Sequence, residues 1–322
     1  AVVGMSIGVS FSVSLVLGPV LGSLWGLSGL FYVTAGLALV ALVIVGRVVP
    51  TPRQHKASTD ALPARQMLVR VLTEGRLLRL DFGIFALHLV LTSLFLVVPV
   101  FLEQRLGLAG SDHWWFYLSV MATSFFAMVP FIIIGEKKRK MKAVLCGAVA
   151  LLTLSAAALL LSGHSLVGTW AVLFAFFMAF NLLEVVLPAQ LTRAAPAGRR
   201  GTAAGLFSAA QFGGVFTGGA VGGLLIQTWG NAALLYVNAG CAVLWFGLVM
   251  WGLTVRDVSG RVIEIADPTS DHAHSLVNAL LSIEGIDDVV FVEAEGMAYL
   301  KIDNAHFVED RLERLLAQSG AT

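Results

Sequence analysis

Along the first 254 positions, runs of about twenty apolar residues alternate with short polar breaks. They fall at 2–24, 30–49, 80–102, 114–134, 143–162, 168–190, 202–226 and 232–254. A helix rising 1.5 Å per residue needs about twenty apolar residues to cross a hydrocarbon layer ~30 Å thick, so the pattern predicts eight membrane helices. The runs lack the two-residue alternation of a barrel strand, and lipid offers exposed backbone groups no partner, which also favours helices.

Past residue 254 the pattern shortens. Ile263 and Ile265 mark a strand, and Leu276, Val277, Leu280 and Leu281 fall at helical spacing. Residues 289–292 and 298–302 predict a hairpin turning near Glu295 and Gly296, followed by a helix with Val308, Leu312 and Leu315 on one face. The order β-α-β-β-α is most of a ferredoxin-like split βαβ domain without its last edge strand. The expected fold class is therefore an all-α polytopic membrane protein plus a small α+β ferredoxin-like domain. The expected divisions are 1–49, a linker at 50–79, a six-helix bundle at 80–255 and the small domain at 256–322.

The chain also repeats itself. Gly4, Phe11, Gly18, Gly22 and Gly29 recur 201 positions later as Gly205, Phe212, Gly219, Gly223 and Gly230. After a slip of three residues, Tyr32 to Gly36 is answered by Tyr236 to Gly240. Two helix pairs thus derive from a duplication. Four further apolar runs precede the later copy and none precedes the earlier one, so four helices are expected upstream of Ala1. Ala1 also opens inside an apolar run without a charged lead, which reads as neither a signal peptide nor a native start.

Composition places the chain in the membrane: 57% of residues are hydrophobic and 13% charged, with mean hydropathy +0.85, against roughly 25% charged in an ordinary soluble domain. Seven Lys and Arg residues lie between Arg47 and Arg79, five between Lys137 and Lys142, and three more are Arg193, Arg199 and Arg200; the alternate connections hold only Arg105. Short basic loops stay in the cytoplasm, so these three connections and both chain ends are expected there. Trp25, Trp114, Trp115, Trp170 and Trp229 then fall at the other boundary, as an aromatic belt. The linker carries Pro50, Pro52 and Pro63 and an amphipathic stretch at 67–72 that is either solvated or lies on the membrane surface. Residues 256–322 hold 13 acidic and 5 basic side chains, so the small domain either docks on basic loops or is simply soluble.

Glu184 is the only acidic residue well inside a predicted span, where an ionisable group costs roughly 2.5–3.5 kcal/mol unless paired, wet or protonated. It is the candidate proton or cation site. Asn181 lies one turn away on the same face, and Pro188 removes the donor to the Glu184 carbonyl. His88 and Gln211 sit at a similar depth, so Asn181, His88 and Gln211 are candidate cavity-lining groups. A structural alternative has Glu184 bonding helix-end backbone or Arg193. Asp81 reads as a surface residue or cap. Gly8, Gly18, Pro19 and Gly22, with Gly219 and Gly223 of the later run (Gly213, Gly214, Gly218, Gly219, Gly222, Gly223), form a candidate helix-interface motif.

Several other chemistries find no support. Cys146 and Cys241 lack metal or disulfide spacing and read as small buried hydrophobes. His272 and His274 are two apart and no cysteine pair follows the first strand, so no metal is expected; Ser270 and Asp271 read as helix caps. There is no nucleophile–base pair or phosphate loop, so no enzyme and no cofactor are expected.

The first span resembles the glycine- and proline-containing antiporter signature of the fifth helix of the major facilitator superfamily, carried by Gly8, Gly18, Pro19 and Gly22. Residues 135–140, Gly-Glu-Lys-Lys-Arg-Lys, look like a degraded second-half copy of that family's basic loop motif. The stretches 180–184, 195–203, Gln211–Phe212 and 299–303 resemble the YajR-like subgroup, which has a ferredoxin-like domain after twelve helices. The resemblance implies alternating access with proton exchange and export of a small molecule across a bacterial inner membrane, and partners limited to lipid, protons and an unidentified small substrate, with no nucleic acid. The rival expectation is a membrane-anchored sensor or scaffold whose tail binds a metal ion or a partner.

Overall fold

The computed structural model describes residues 2–49, 74–159, 165–195, 200–252, 258–264, 270–292, 297–303 and 306–319. Most of the expected linker, its amphipathic stretch, Ile265 and the hairpin turn at Glu295 and Gly296 lie outside these. Among the described residues, six apolar helices are long enough to cross a membrane. They are α1 (Val2–Val48), α2 (Gly75–Gln104), α3 (His113–Lys137), α4 (Met141–Ala158), α5 (Leu166–Ala194) and α6 (Arg200–Gly252).

Two of the six are double. α1 has 47 residues and α6 has 53, about twice what a bilayer needs. Each is two helices joined at one glycine of non-helical backbone: Gly26 at φ 66°, ψ −172° and Gly230 at φ 80°, ψ 175°. That conformation is essentially reserved for glycine, because a Cβ would clash with the backbone. Each turning glycine follows a tryptophan, Trp25 or Trp229, and precedes by six residues a tyrosine, Tyr32 or Tyr236. The equivalence is therefore Gly26 with Gly230, and the three-residue slip of the repeat falls before the turn. The expected pairing of Gly29 with Gly230 is corrected.

The chain divides into two compact units, one of 1–57, 78–189 and 206–253 and one of 58–77, 190–205 and 254–322. In the first, α2 and α5 are the most deeply buried helices and the second half of α1 the least. The reason is in their side chains: α2 and α5 carry His88, Asn181 and Glu184, and polar groups of membrane helices turn to the protein interior. α6 lies directly on α2. A Cβ added at Gly214 would strike the Phe85 carbonyl oxygen, and one at Gly218 would stand 2.5 Å from that of Leu89. Ser93 Oγ, one turn further along, donates to the Gly218 carbonyl at 3.2 Å. Small residues four apart let two backbones touch in this way.

The second unit holds the small domain: β1 (Val258–Glu264), α7 (Ser270–Leu281), β2 (Ile286–Val292), β3 (Met297–Asp303) and α8 (Glu309–Ser319). The strands are ordered β1-β3-β2, with β3 antiparallel to both neighbours. α7 thus links two strands that are not adjacent, which is a split βαβ unit. Ala298, Leu300 and Ile302 point from β3 into a core with Ile263, Leu276, Leu280 and Leu312. Leu281 and Val308, expected to face that core, are 44% and 46% exposed; Leu281 is the last residue of α7, and Val308 immediately precedes α8. Because strand residues alternate faces, Tyr299 and Lys301 point the other way. Lys301 Nζ donates to the carbonyls of Ala194 and Ala195 at 3.3 and 3.1 Å, at the C-terminal end of α5. The last carbonyls of a helix are those its own N–H groups do not reach, and the helix dipole places negative charge there, so an ammonium group is a fitting cap.

Candidate functional site

The site lies in the first unit where α2, α5 and α6 meet. α5 brings Asn181 and Glu184 to one face at a three-residue spacing, 1% and 2% exposed. α2 brings His88, 7% exposed, and α6 brings Gln211, one turn before the Gly214 contact that holds α6 against α2. Three of the four predicted residues meet. Gln211 Nε2 lies 2.9 Å from His88 Nε2 and donates to Glu184 Oε1 at 3.4 Å. His88 Nε2 stands 3.6 Å from Glu184 Oε2, and that oxygen, fully buried, has no hydrogen-bond partner.

Geometry assigns the hydrogens. His88 Nδ1 is 3.1 Å from the Ile84 carbonyl oxygen, which can only accept, so Nδ1 carries the ring hydrogen. Nε2 of the neutral ring is then an acceptor, and the Gln211 amide spans the gap with one N–H toward His88 and the other toward Glu184. Phe180 closes the site beside His88, with ring centroids 5.8 Å apart.

Asn181 is placed differently. Its Nδ2 donates to Ser124 Oγ of α3 at 3.2 Å, and its Oδ1 is buried without a partner. Ser124, which sequence reasoning did not single out, in turn donates to the Met121 carbonyl at 3.0 Å. Its signal was that of one Ser or Thr hydroxyl among three, with Ser119 and Thr123, in an apolar run, which names no partner.

The candidate interface glycines are partly placed. Surroundings of Gly8 and Pro19 lie outside the described residues. Among the described residues, no side chain or neighbouring helix comes within 4 Å of a Cβ built at Gly18 or Gly223; Gly22 has Leu30 Cδ1 at 3.9 Å and Gly219 has Thr92 Cγ2 at 3.8 Å. The tight contacts are at Gly214 and Gly218, the other members of that run, with Leu96 Cδ1 2.9 Å from a Cβ at Gly222. Asp81, expected at the surface or as a cap, is 8% exposed with a buried Oδ1 lacking a partner; it sits about two turns inside α2, too far from the helix start to cap it. Cys146 and Cys241 are free and half-buried rather than fully buried. The side chains of Ser270, Asp271, His272 and His274 lie outside the described residues, and no cluster of metal-ligating residues is found among the described ones.

Comparison with known proteins fits this arrangement. Residues 1–219 match the family model of the Major Facilitator Superfamily. The chain is 34% identical over 323 residues to the inner membrane transport protein YajR of Escherichia coli (strain K12), covering 99% of this chain and 70% of that protein. It is 27% identical over 219 residues to an uncharacterized transporter of Buchnera aphidicola subsp. Acyrthosiphon pisum, and 24% identical over 245 residues to one of Buchnera aphidicola subsp. Baizongia pistaciae. Those matches cover 68% and 76% of this chain but only 56% and 62% of the Buchnera proteins. Six apolar membrane-length helices, two of them turned back at matching glycines, a match over most of the sequence and a relative aligned along nearly all of it together show that the chain belongs to the Major Facilitator Superfamily of membrane transporters.

Proposed function

We propose that the protein is a proton-coupled exporter of a small molecule in the bacterial inner membrane, and that Glu184 is the group that takes up and releases the proton. The observation that carries this reading is the free Glu184 Oε2, sealed from solvent and facing His88 Nε2 at 3.6 Å. A buried carboxylate oxygen without a donor is costly as an anion, so the site favours a proton on one of the two side chains. Gln211 links them, and it is carried by α6, the helix seated on α2 through glycine. Movement of α6 along that seam would separate Gln211 from His88 and Glu184 together, which is how proton binding and helix rearrangement become one event.

Export rather than import is supported by the antiporter signature carried by Gly8, Gly18, Pro19 and Gly22. Placement in the inner membrane is supported by the printed name of the Escherichia coli relative and by the basic loops at 47–79, 137–142 and 193–200. A ferredoxin-like reading of the small domain is supported by its strand order β1-β3-β2. Its Lys301 cap on the end of α5 supports a regulatory role, since α5 also bears Glu184.

The test needs no knowledge of the substrate. Infrared difference spectra of the full-length protein in lipid, recorded across a pH titration, are expected to contain a protonated-carboxyl band that disappears in Glu184→Gln and shifts in Gln211→Ser. Identical spectra for wild type and Glu184→Gln would sink the proposal.

A further inference from the structure

Away from this site, at the end of the helices that carries Trp114, Trp115, Trp170 and Trp229, a cavity of about 160 Å³ opens between α2, α4 and α6. Its wall is apolar, from Val97, Val100 and Phe101 of α2, Leu159 just past α4, and Leu235 of α6. Its rim is polar, from Gln104, Arg105 and Asn231. We propose that this pocket binds the headgroup of an anionic phospholipid.

Three observations carry the assignment. Arg105 is the only Lys or Arg among the connections at this end of the helices. Its guanidinium lies 5.7 Å from the centroid of the Phe101 ring, and no hydrogen bond or ion pair of that side chain is recorded among the described residues. The planar cation is thus held over an aromatic face with its N–H fork unspent, the arrangement suited to two oxygens of a phosphate.

The cavity has room for roughly five waters at ~30 Å³ each, which matches a phosphate group and not a whole lipid. The tryptophans fix its depth. Exposed Trp114, Trp115 and Trp229 mark the level where headgroups meet hydrocarbon, so a phosphate at Arg105 would leave acyl chains to run along the apolar wall. Asn231 is placed at the rim by the glycine turn itself, as the residue following Gly230. The described residues that line the pocket come from α2 and Arg105 just past it, from α6, and from Leu159 just past α4.

The experiment is native mass spectrometry of the full-length protein titrated with phosphatidylglycerol or phosphatidylethanolamine of identical acyl chains, with inorganic phosphate as a third arm. Phosphatidylglycerol is expected to be retained about fivefold better than phosphatidylethanolamine, the change expected of one basic side chain beside an anionic headgroup. The preference should vanish in Arg105→Gln, weaken in Arg105→Lys, which keeps the charge but loses the fork and the stacking, and vanish again when Val100→Trp fills the cavity with the cation intact. Equal retention of both lipids, or a preference unchanged in Arg105→Gln and Val100→Trp, would overturn the assignment. Inorganic phosphate displacing phosphatidylglycerol at equal concentration would overturn it too, by making the ligand a soluble anion. None of these readouts depends on Glu184, so the exporter reading stands or falls separately.

Discussion

α1 and α6 are bent back at the same tryptophan–glycine pair, in nearly the same backbone conformation at Gly26 and Gly230, but the helix before each turn meets its surroundings differently. The glycines that the two copies share, Gly18 with Gly219 and Gly22 with Gly223, touch little or nothing. Those that let α6 lie on α2 are Gly214 and Gly218, and their counterparts 201 positions earlier are Val13 and Leu17, 48% and 47% exposed. Gln211, which bridges His88 and Glu184, answers to Ser10. Duplication has preserved the fold-back, while the residues that make the α2 contact and the polar bridge in the later copy, Gly214, Gly218 and Gln211, are replaced by Val13, Leu17 and Ser10 in the earlier one. In a duplicated protein, what repeats reports the shared backbone; chemistry is found where the copies part.

The most damaging way to break this contrast is to give α6 the residues of the first copy. Gly214→Val with Gly218→Leu drives side chains into the Phe85 and Leu89 backbone, and overpacking of this kind costs ~1–3 kcal/mol per site, more where backbone must move. Loss of the monodisperse peak in detergent chromatography is expected. The reciprocal Val13→Gly with Leu17→Gly inserts no atoms into a neighbour and should damage that peak less, with a helix-propensity cost of about 1 kcal/mol each. Equal damage from both swaps would erase the distinction.

A second test sharpens what the copies share. Gly26→Ala and Gly230→Ala each force a Cβ into a glycine-only conformation, at a cost on the order of 1–3 kcal/mol. The two substitutions should lower the melting temperature by similar amounts; a drop confined to one would mean that the turns are not equivalent. The smallest effect is expected at the shared glycines. With no neighbour to strike, Gly18→Ala and Gly223→Ala should raise stability by about 0.4–1 kcal/mol through reduced backbone freedom of the unfolded chain. A loss at either site in the full-length protein would place a second helix against it.

Much of this organisation was legible in sequence. Long apolar runs read as helices because lipid allows little else, and the alternation of Ala298, Leu300 and Ile302 gave the inner face of β3. Depth counted from helix ends also put Glu184, His88 and Gln211 at one level. Spacing along a single helix identifies a face but not what lies opposite it. That is why the contacts of Gly214 with Phe85 and of Asn181 with Ser124 had to come from the structure, and why Asp81 was assigned to the surface. The slip in the repeat was misplaced by three residues because glycines 26 and 29 look alike as letters; only backbone angles tell which one turns the chain.

With Nδ1 of His88 tied to the Ile84 carbonyl, the imidazole has a single working nitrogen, and the Gln211 amide stands over it. A proton reaching Nε2 would turn that nitrogen from acceptor to donor, facing an amide N–H that it can no longer receive. If the amide turned end for end to offer its oxygen, Glu184 would lose an N–H. Through this one neutral side chain, a proton on the ring would then favour a second on the carboxyl, against the pull of the opposite charge between them.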